Sequence, residues 1–246
     1  MEHMTRVFVA DSFRVSVREG RAGARAFELH LDRFARSVRE ASGGTLMNID
    51  GFLRGARARI SEFGEGFPRL EYRGGGDDGL HLELRELPQL GDSIEMRSMR
   101  LDTLTPPLEH PERKGPNIGL LGALKRQLGA EALLIDDAGN ITEGATTSVV
   151  WWRGAVLHTV ASTARVTSVT ESLVTSIAGR MNMTHLPSNV SAEQLAGCEV
   201  WALNALHGIR PVIRIDEHAL SGNIDMTRLE VFRTALEEAW QPVLRE

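Results

Sequence analysis

The sequence predicts an α+β chain of two domains. Short alternating strands bracket two amphipathic helices in the first part. A proline-rich stretch without periodicity follows, and beyond it the order changes to helix, buried strand, strand pair and helix. The domains read as 1–109, small and α/β, and 113–246, larger, with a linker at about 102–112.

Taken in order, RVFVADSFRV (6–15) reads as extended chain. FELHLDRFARSVREA (27–41) places Leu31, Phe34, Ala35 and Val38 on one helical face. A second helix is expected over 50–63, with Asp50 as candidate N-cap. FPRLEYR, GGGDDG and HLELREL read as a hairpin with a flexible loop, and IEMRSMRL (94–101) alternates again. DTLTPPLEHPE (102–112) is the linker. Then come a helix at about 117–128, the buried strand ALLID, the turn DAGN, the strands TSVVWW and AVLHT, and a helix at about 169–180. The apolar run CEVWALNAL, the stretch GIRPVIRI and a helix at about 226–240 complete the chain.

Composition narrows the function classes. With 42% hydrophobic and 25% charged residues, the 246-residue chain is close to globular averages and can bury a core. No apolar run approaches the ~18 residues of a membrane span, so a soluble protein is expected. The opening MEHMTRVFVADSF lacks the basic segment, apolar core and cleavage site of a secretory signal. A single cysteine, Cys198, cannot form an intramolecular disulfide, in keeping with a cytoplasmic location. The net charge is −5 with scattered basic residues, which argues against nucleic acid as partner. None of the eight histidines has metal-ligand spacing, so no metal is expected.

The candidate chemistry starts at Lys114, in RKGPNIG. Gly115 and Pro116 break regular structure just before an amphipathic run, placing the lysine at the mouth of a helix. At its free pKa of ~10.4 a lysine is protonated and cannot attack a carbonyl, so a covalent role needs a partly desolvated setting or a neighbouring cation. The alternative is a solvated surface charge. Downstream run a helix, the strand ALLID, the turn DAGN, and ITEGATTS leading into a further strand.

This stretch resembles the class IV aminotransferases, pyridoxal-phosphate enzymes that include branched-chain aminotransferase, D-amino acid aminotransferase and aminodeoxychorismate lyase. The family pattern is met by Lys114, Asp136 or Asp137, Gly139, Ile141, Glu143, Gly144, Thr146, Thr147, Ser148 and Thr159. The resemblance implies fold type IV, a small N-terminal domain beside a larger one with a β-barrel-like core. It implies pyridoxal 5'-phosphate as cofactor, with Lys114 forming its Schiff base and acting as acid/base. Glu143 would be the carboxylate that keeps the cofactor's ring nitrogen protonated, with a surface turn glutamate as its alternative.

RVTSVTESLVTSIAGR resembles the family's phosphate-binding helix start. Ser168 would be the N-cap, and Val169 and Thr170 would face the phosphate. Thr167 stands where a proline is usual and Glu171 where an arginine is usual. HLDRFARS resembles the helix whose arginine reaches the phosphate, which makes Arg33 a phosphate candidate, with an arginine on the solvated helix face as alternative; His30, one turn earlier, is expected to pack or cap locally. EVWALNALHGIRPV resembles the segment that brings Asn204 and Ala205 to the phosphate. Leu206, His207, Arg210 and Thr146 are substrate-facing candidates, and a turn role is the alternative for His207. FPRLEYR makes Arg69 a candidate for a substrate carboxylate, with an exposed strand arginine as alternative.

The implied function is aminotransfer between a small amino acid or amino-bearing carboxylate and an oxo acid, in a homodimer with its site at the domain junction. Two rivals stand beside it. Aminodeoxychorismate lyase-like elimination of pyruvate is favoured by the N-A-L form, and by Ile118 where transaminases often carry a tyrosine. A non-catalytic cofactor-binding homologue is suggested by the family's opening stretch, of which only ADSFRV is matched.

Overall fold

In a strand, successive side chains alternate between faces, so the positions of apolar residues decide which face is covered and by what. The computed structural model describes residues 6–44 and 48–244; the first five residues, the start of the stretch read for a leader, lie outside them. The chain divides into two units. One comprises Met1–Gln89, Arg113–Pro116 and Glu237–Glu246, the other Leu90–Glu112 and Asn117–Leu236.

The first unit contains strands β1 (Val9–Ser12), β2 (Val15–Arg18) and β3 (Arg21–Arg25), helices α1 (Phe27–Ala41) and α2 (Ile49–Phe63), and strands β4 (Arg69–Tyr72) and β5 (Leu80–Glu83). The apolar stripe expected on α1 is its buried face, Leu31, Phe34, Ala35 and Val38, extended by Phe27 and His30. β4 and β5 form the expected hairpin, in register from Arg69 opposite Glu83 to Tyr72 opposite Leu80, and β1 pairs with β4 on its other side.

Two sequence expectations are corrected here. Asn48, not Asp50, occupies the cap position of α2. Asp50 sits in the first turn, where its carboxylate is 3.4 Å from Arg39 Nη2 and complements the helix dipole. The final helix ends at Glu237 rather than about 240, because Trp240–Pro242 forms a strand antiparallel to β3, with Trp240 opposite Arg25. The Trp240 ring lies over Gly23, where a Cβ would stand 2.3 Å from the indole Cζ2, so only glycine admits it.

The second unit contains β6 (Ile94–Arg100), α3 (Ile118–Leu128), β7 (Glu131–Ile135), β8 (Ile141–Gly144), β9 (Ser148–Arg153), β10 (Val156–Val160), α4 (Val169–Arg180), β11 (His185–Ser188), β12 (Glu199–Asn204), β13 (Gly208–Ile215), β14 (His218–Ala219) and α5 (Met226–Glu237). One sheet runs in the order β11-β10-β9-β12-β13-β6-β7-β8, with β14 attached to β13. It curls on itself: the Ile141 N–H of β8 donates to the Val190 carbonyl just past β11, at 2.9 Å, so its two edge regions meet. The barrel-like core follows from the alternation. Met96, Leu133, Ile141, Val149, Trp151, Val200, Ala202 and Val212 fill the inside. Val150, Trp152, Trp201, Leu203 and Ile209 face outward, under Val174 and Ile177 of α4 and Leu229 and Phe232 of α5. Leu124 of α3 covers Ala132 and Leu134.

Among the described residues no helix is long and apolar enough to cross a membrane.

Phe232 joins α5 to the sheet. It is fully buried, edge-on to Trp152 and Trp201 at ring-centroid distances of 5.5 and 5.2 Å. Phe232→Ala is expected to cost about 3–5 kcal/mol of stability, seen as a lower denaturant midpoint with an unchanged transition slope.

Candidate active site

Lys114 is built into the first unit through its main chain. The Phe8 N–H, just before β1, donates to the Tyr72 carbonyl of β4, and the Ala10 N–H of β1 donates to the Lys114 carbonyl at 2.7 Å. Gly115 lies flat against this strand at φ +148°, and a Cβ there would be 2.7 Å from Val9 Cα and 2.9 Å from the Phe8 carbonyl carbon. The glycine after the lysine is therefore a condition of its seat on β1, beyond its role as a helix breaker.

Next to Ala10 stands Asp11, fully buried. His30 and Arg33 reach it from α1, where their i, i+3 spacing puts them on one face. Arg33 donates from Nε and Nη2 at 2.7 and 2.8 Å, and His30 Nδ1 is 2.9 Å from Oδ1. Burial alone would raise the Asp11 carboxyl, but Arg33 and His30 outweigh it and hold it well below the usual carboxylate range. Burial pulls the His30 imidazole down against the opposing pull of Asp11, and the charges of Arg33 and Lys114 add to that depression. Asp11, His30, Arg33 and Lys114 thus form one electrostatic group. Arg69 stands apart from it on β4, paired with the buried Glu71 and with Glu83.

In the second unit, Glu143 is half-buried on β8, opposite Leu134 of β7. Ser168 caps α4, its Oγ accepting from the Glu171 N–H at 3.2 Å, as expected of it. Val169 and Thr170 are buried in the first turn, where N–H groups lack partners within the helix. Glu171 is answered by Arg165, which donates to it from Nη1 and Nη2 at 2.7 Å each and anchors itself on the Ser162 and Val160 carbonyls. Burial would lower the Arg165 guanidinium, yet the Glu171 carboxylate, helped by Glu143, raises it.

The β12–β13 turn brings a third group together. The Asn204 side-chain oxygen accepts from the His207 N–H at 2.8 Å, and its Nδ2 donates to the Thr146 carbonyl at 3.4 Å. Ala205 and Leu206 lie between Asn204 and His207 in that turn. Thr146 donates through Oγ1 at 2.8 Å to Glu131, a buried carboxylate that also receives Thr147 Oγ1 at 3.3 Å and Lys125 Nζ at 3.1 Å. Arg210, opposite Ala202 on the inner face, is 6% exposed. Burial pulls its guanidinium below the ordinary arginine value, and Glu131 acts in the other direction.

Three residues went unmarked in the sequence: Asp11, Glu131 and Arg165. Asp11 lies within ADSFRV and Arg165 stands three residues before a helix cap, but the partners of Asp11, and those of Glu131 apart from Lys125, lie 15 or more positions away. Among the described residues no group of three or more His, Cys, Asp and Glu could hold a metal.

A model of the amino-transferase class IV family matches residues 9–215. No curated sequence is a significant match to the chain. Similar solved structures include the branched-chain amino acid aminotransferase of T.th. with pyridoxamine 5'-phosphate, at TM-score 0.79 and 16% identity over 98% of this chain and 91% of that one. Another is a hypothetical aminotransferase of Mycobacterium tuberculosis in a PLP-bound form, at TM-score 0.76 and 17% identity over 96% and 89%. A third, from Legionella pneumophila, is provisionally called 4-amino-4-deoxychorismate lyase, at TM-score 0.75 and 15% identity over 94% and 90%. At these identities the likeness is one of fold.

Asp11→Asn is expected to destabilise the chain by about 3–5 kcal/mol at neutral pH, by leaving Arg33 without its buried counter-charge. Because the folded Asp11 value lies below its ordinary 3.8, its contribution is complete above that pH and is lost as the pH falls toward the folded value. The stability gap between wild type and variant should therefore be constant near neutrality and close in acid, as read by urea denaturation across pH.

Proposed function

The chain belongs to the amino-transferase class IV family, and on that premise we propose that it is a pyridoxal-phosphate-dependent aminotransferase with Lys114 as its catalytic amine. The substrate is a small amino acid or amino-bearing carboxylate, with an oxo acid as acceptor. The observation that carries this reading is the seat of Lys114, bonded to β1 through its carbonyl, followed by a glycine that has no room for a side chain, and coupled by charge to His30.

Each unit carries donors whose chemistry suits the cofactor's functional groups. Lys114 would hold it covalently as a Schiff base. Glu143 would accept a hydrogen bond from the ring nitrogen and favour its protonated form. The N–H groups of Val169 and Thr170 suit a phosphate, and pairing of Glu171 with Arg165 cancels the negative charge that would oppose one. Arg33, oriented by Asp11, would add guanidinium donors, and Asn204 and Ala205 a polar turn. When bound, pyridoxal phosphate supplies the electron sink for chemistry at the substrate's α-carbon. Lys114 would move the proton at the substrate's α-carbon, as general base and then general acid. The structures of similar fold that contain pyridoxal or pyridoxamine phosphate support this reading. The family resemblance further suggests a homodimer, working in the cytoplasm.

A second reading, elimination of pyruvate started by the same lysine, is favoured by Ile118 at the start of α3 and by the Asn204-Ala205-Leu206 turn. A lyase would release pyruvate from its substrate without an oxo-acid acceptor, whereas a transaminase requires one.

The purified chain saturated with pyridoxal phosphate is expected to show an absorbance band near the visible edge that borohydride bleaches and that Lys114→Ala lacks. A wild-type protein that never acquires the band would refute both enzyme readings and leave a non-catalytic homologue. Glu143→Gln is expected to keep the band and lower kcat by about 100-fold or more.

A further inference from the structure

Arg210 is the residue whose setting the preceding chemistry leaves unexplained. Its guanidinium lies on the inner face of the second unit's sheet, 6% exposed, and neither Nε nor Nη2 has a hydrogen-bond acceptor among the described residues. A buried charged donor without an acceptor is costly, and Arg33 shows how such a cost is met, gripping both oxygens of the buried Asp11 with its Nε–Nη2 edge at 2.7 and 2.8 Å. Arg210 holds the same two parallel donors ready, on a rigid strand.

Glu131 lies on the same face, since it alternates with Leu133 and Ile135 of the inner core. Its oxygens are already committed to Thr146, Thr147 and Lys125. The charges of Glu131, Lys125 and Arg210 sum to one positive, which suits a monoanion; a dianion would leave a surplus negative charge away from water. The Asn204–His207 turn, tied to Thr146, begins the strand on which Arg210 stands.

We propose that Arg210 recognises a carboxylate of the substrate through its Nε–Nη2 edge, and is the residue that selects carboxylate-bearing amines. The identification of the bound molecule as substrate rests on the function proposed above; the carboxylate site itself does not.

The test uses the full chain without added cofactor, titrated calorimetrically with acetate, butyrate and hexanoate and, separately, with inorganic phosphate. Wild type is expected to bind the carboxylates saturably and phosphate more weakly. Arg210→Met should remove carboxylate binding and Arg210→Lys weaken it at least about tenfold, because an ammonium cannot reproduce the bidentate edge. Without ligand, Arg210→Met should melt at or above the wild-type temperature, since an apolar side chain replaces a buried charge with unmet donors. In turnover, Arg210→Lys should raise KM for the amino acid about tenfold or more with little change in kcat.

Carboxylate binding that is absent from wild type or unchanged in the variants overturns the proposal. So does a response to phosphate alone that depends on Arg210. If Arg210→Met does not fold, the Arg210→Lys titration decides. Carboxylate binding that depends on Arg210 in a protein that never acquires the cofactor band would overturn the function and leave this site standing. The band without any dependence of binding on Arg210 would do the reverse.

Discussion

A carboxylate withdrawn from water must be met by donors or cations, and both units are organised around that need. In the first unit Asp11 draws Arg33 and His30 of α1 onto β1, and Glu71 gathers Arg69 and Arg73 around β4. In the second, Glu131 ties the start of β7 to the Thr146–Thr147 turn and to Lys125 of α3. Glu199 holds the Trp201 indole at 2.9 Å and Arg228 of α5 at 2.8 Å, although burial still raises its carboxyl. Each carboxylate joins elements that hydrophobic packing alone would leave free to slide, because apolar contact fixes distance poorly and a bidentate ion pair fixes both distance and angle.

The same accounting separates structural from chemical charges. Glu171, at the mouth of α4, would oppose an anion there, yet Arg165 meets it with two hydrogen bonds. The helix start thereby keeps its electropositive character with an acidic residue in its first turn. Arg210 is the contrasting case, a buried cation whose two edge donors no described residue satisfies. A buried donor left unmet calls for a specific explanation, such as a water, an ion or a ligand that completes it.

Much of the fold was legible because it is local. The apolar stripe of α1, the Ser168 cap of α4 and the alternation of IEMRSMRL are each written within a few residues, and each was found at or within a residue of its expected place. The end of α5 was missed because Trp240 answers to β3, over 200 positions earlier, and no local pattern records that pairing. The candidate site shows the same division. Lys114 and Arg33 could be marked by motif, but the contacts that position them could not. Arg33 depends on Asp11, 22 positions away, and the seat of Lys114 depends on contact with β1. His30, expected to pack or cap locally, packs against Phe13 and in addition belongs to that buried charge cluster.

The bond between Ile141 and Val190 also bears on how the second unit behaves in company. An open sheet of this length presents two edges on which another chain can add a strand. Here β8 is occupied on that side by the Val190 carbonyl, and β11 carries Pro187, which has no N–H to offer. The unit's most aggregation-prone sequences, SVVWWR and EVWALN, are central strands β9 and β12, shielded on both flanks. Curling the sheet therefore does more than enclose a core: it keeps the stickiest segments of the chain out of reach of its neighbours at the concentrations at which proteins are made and stored.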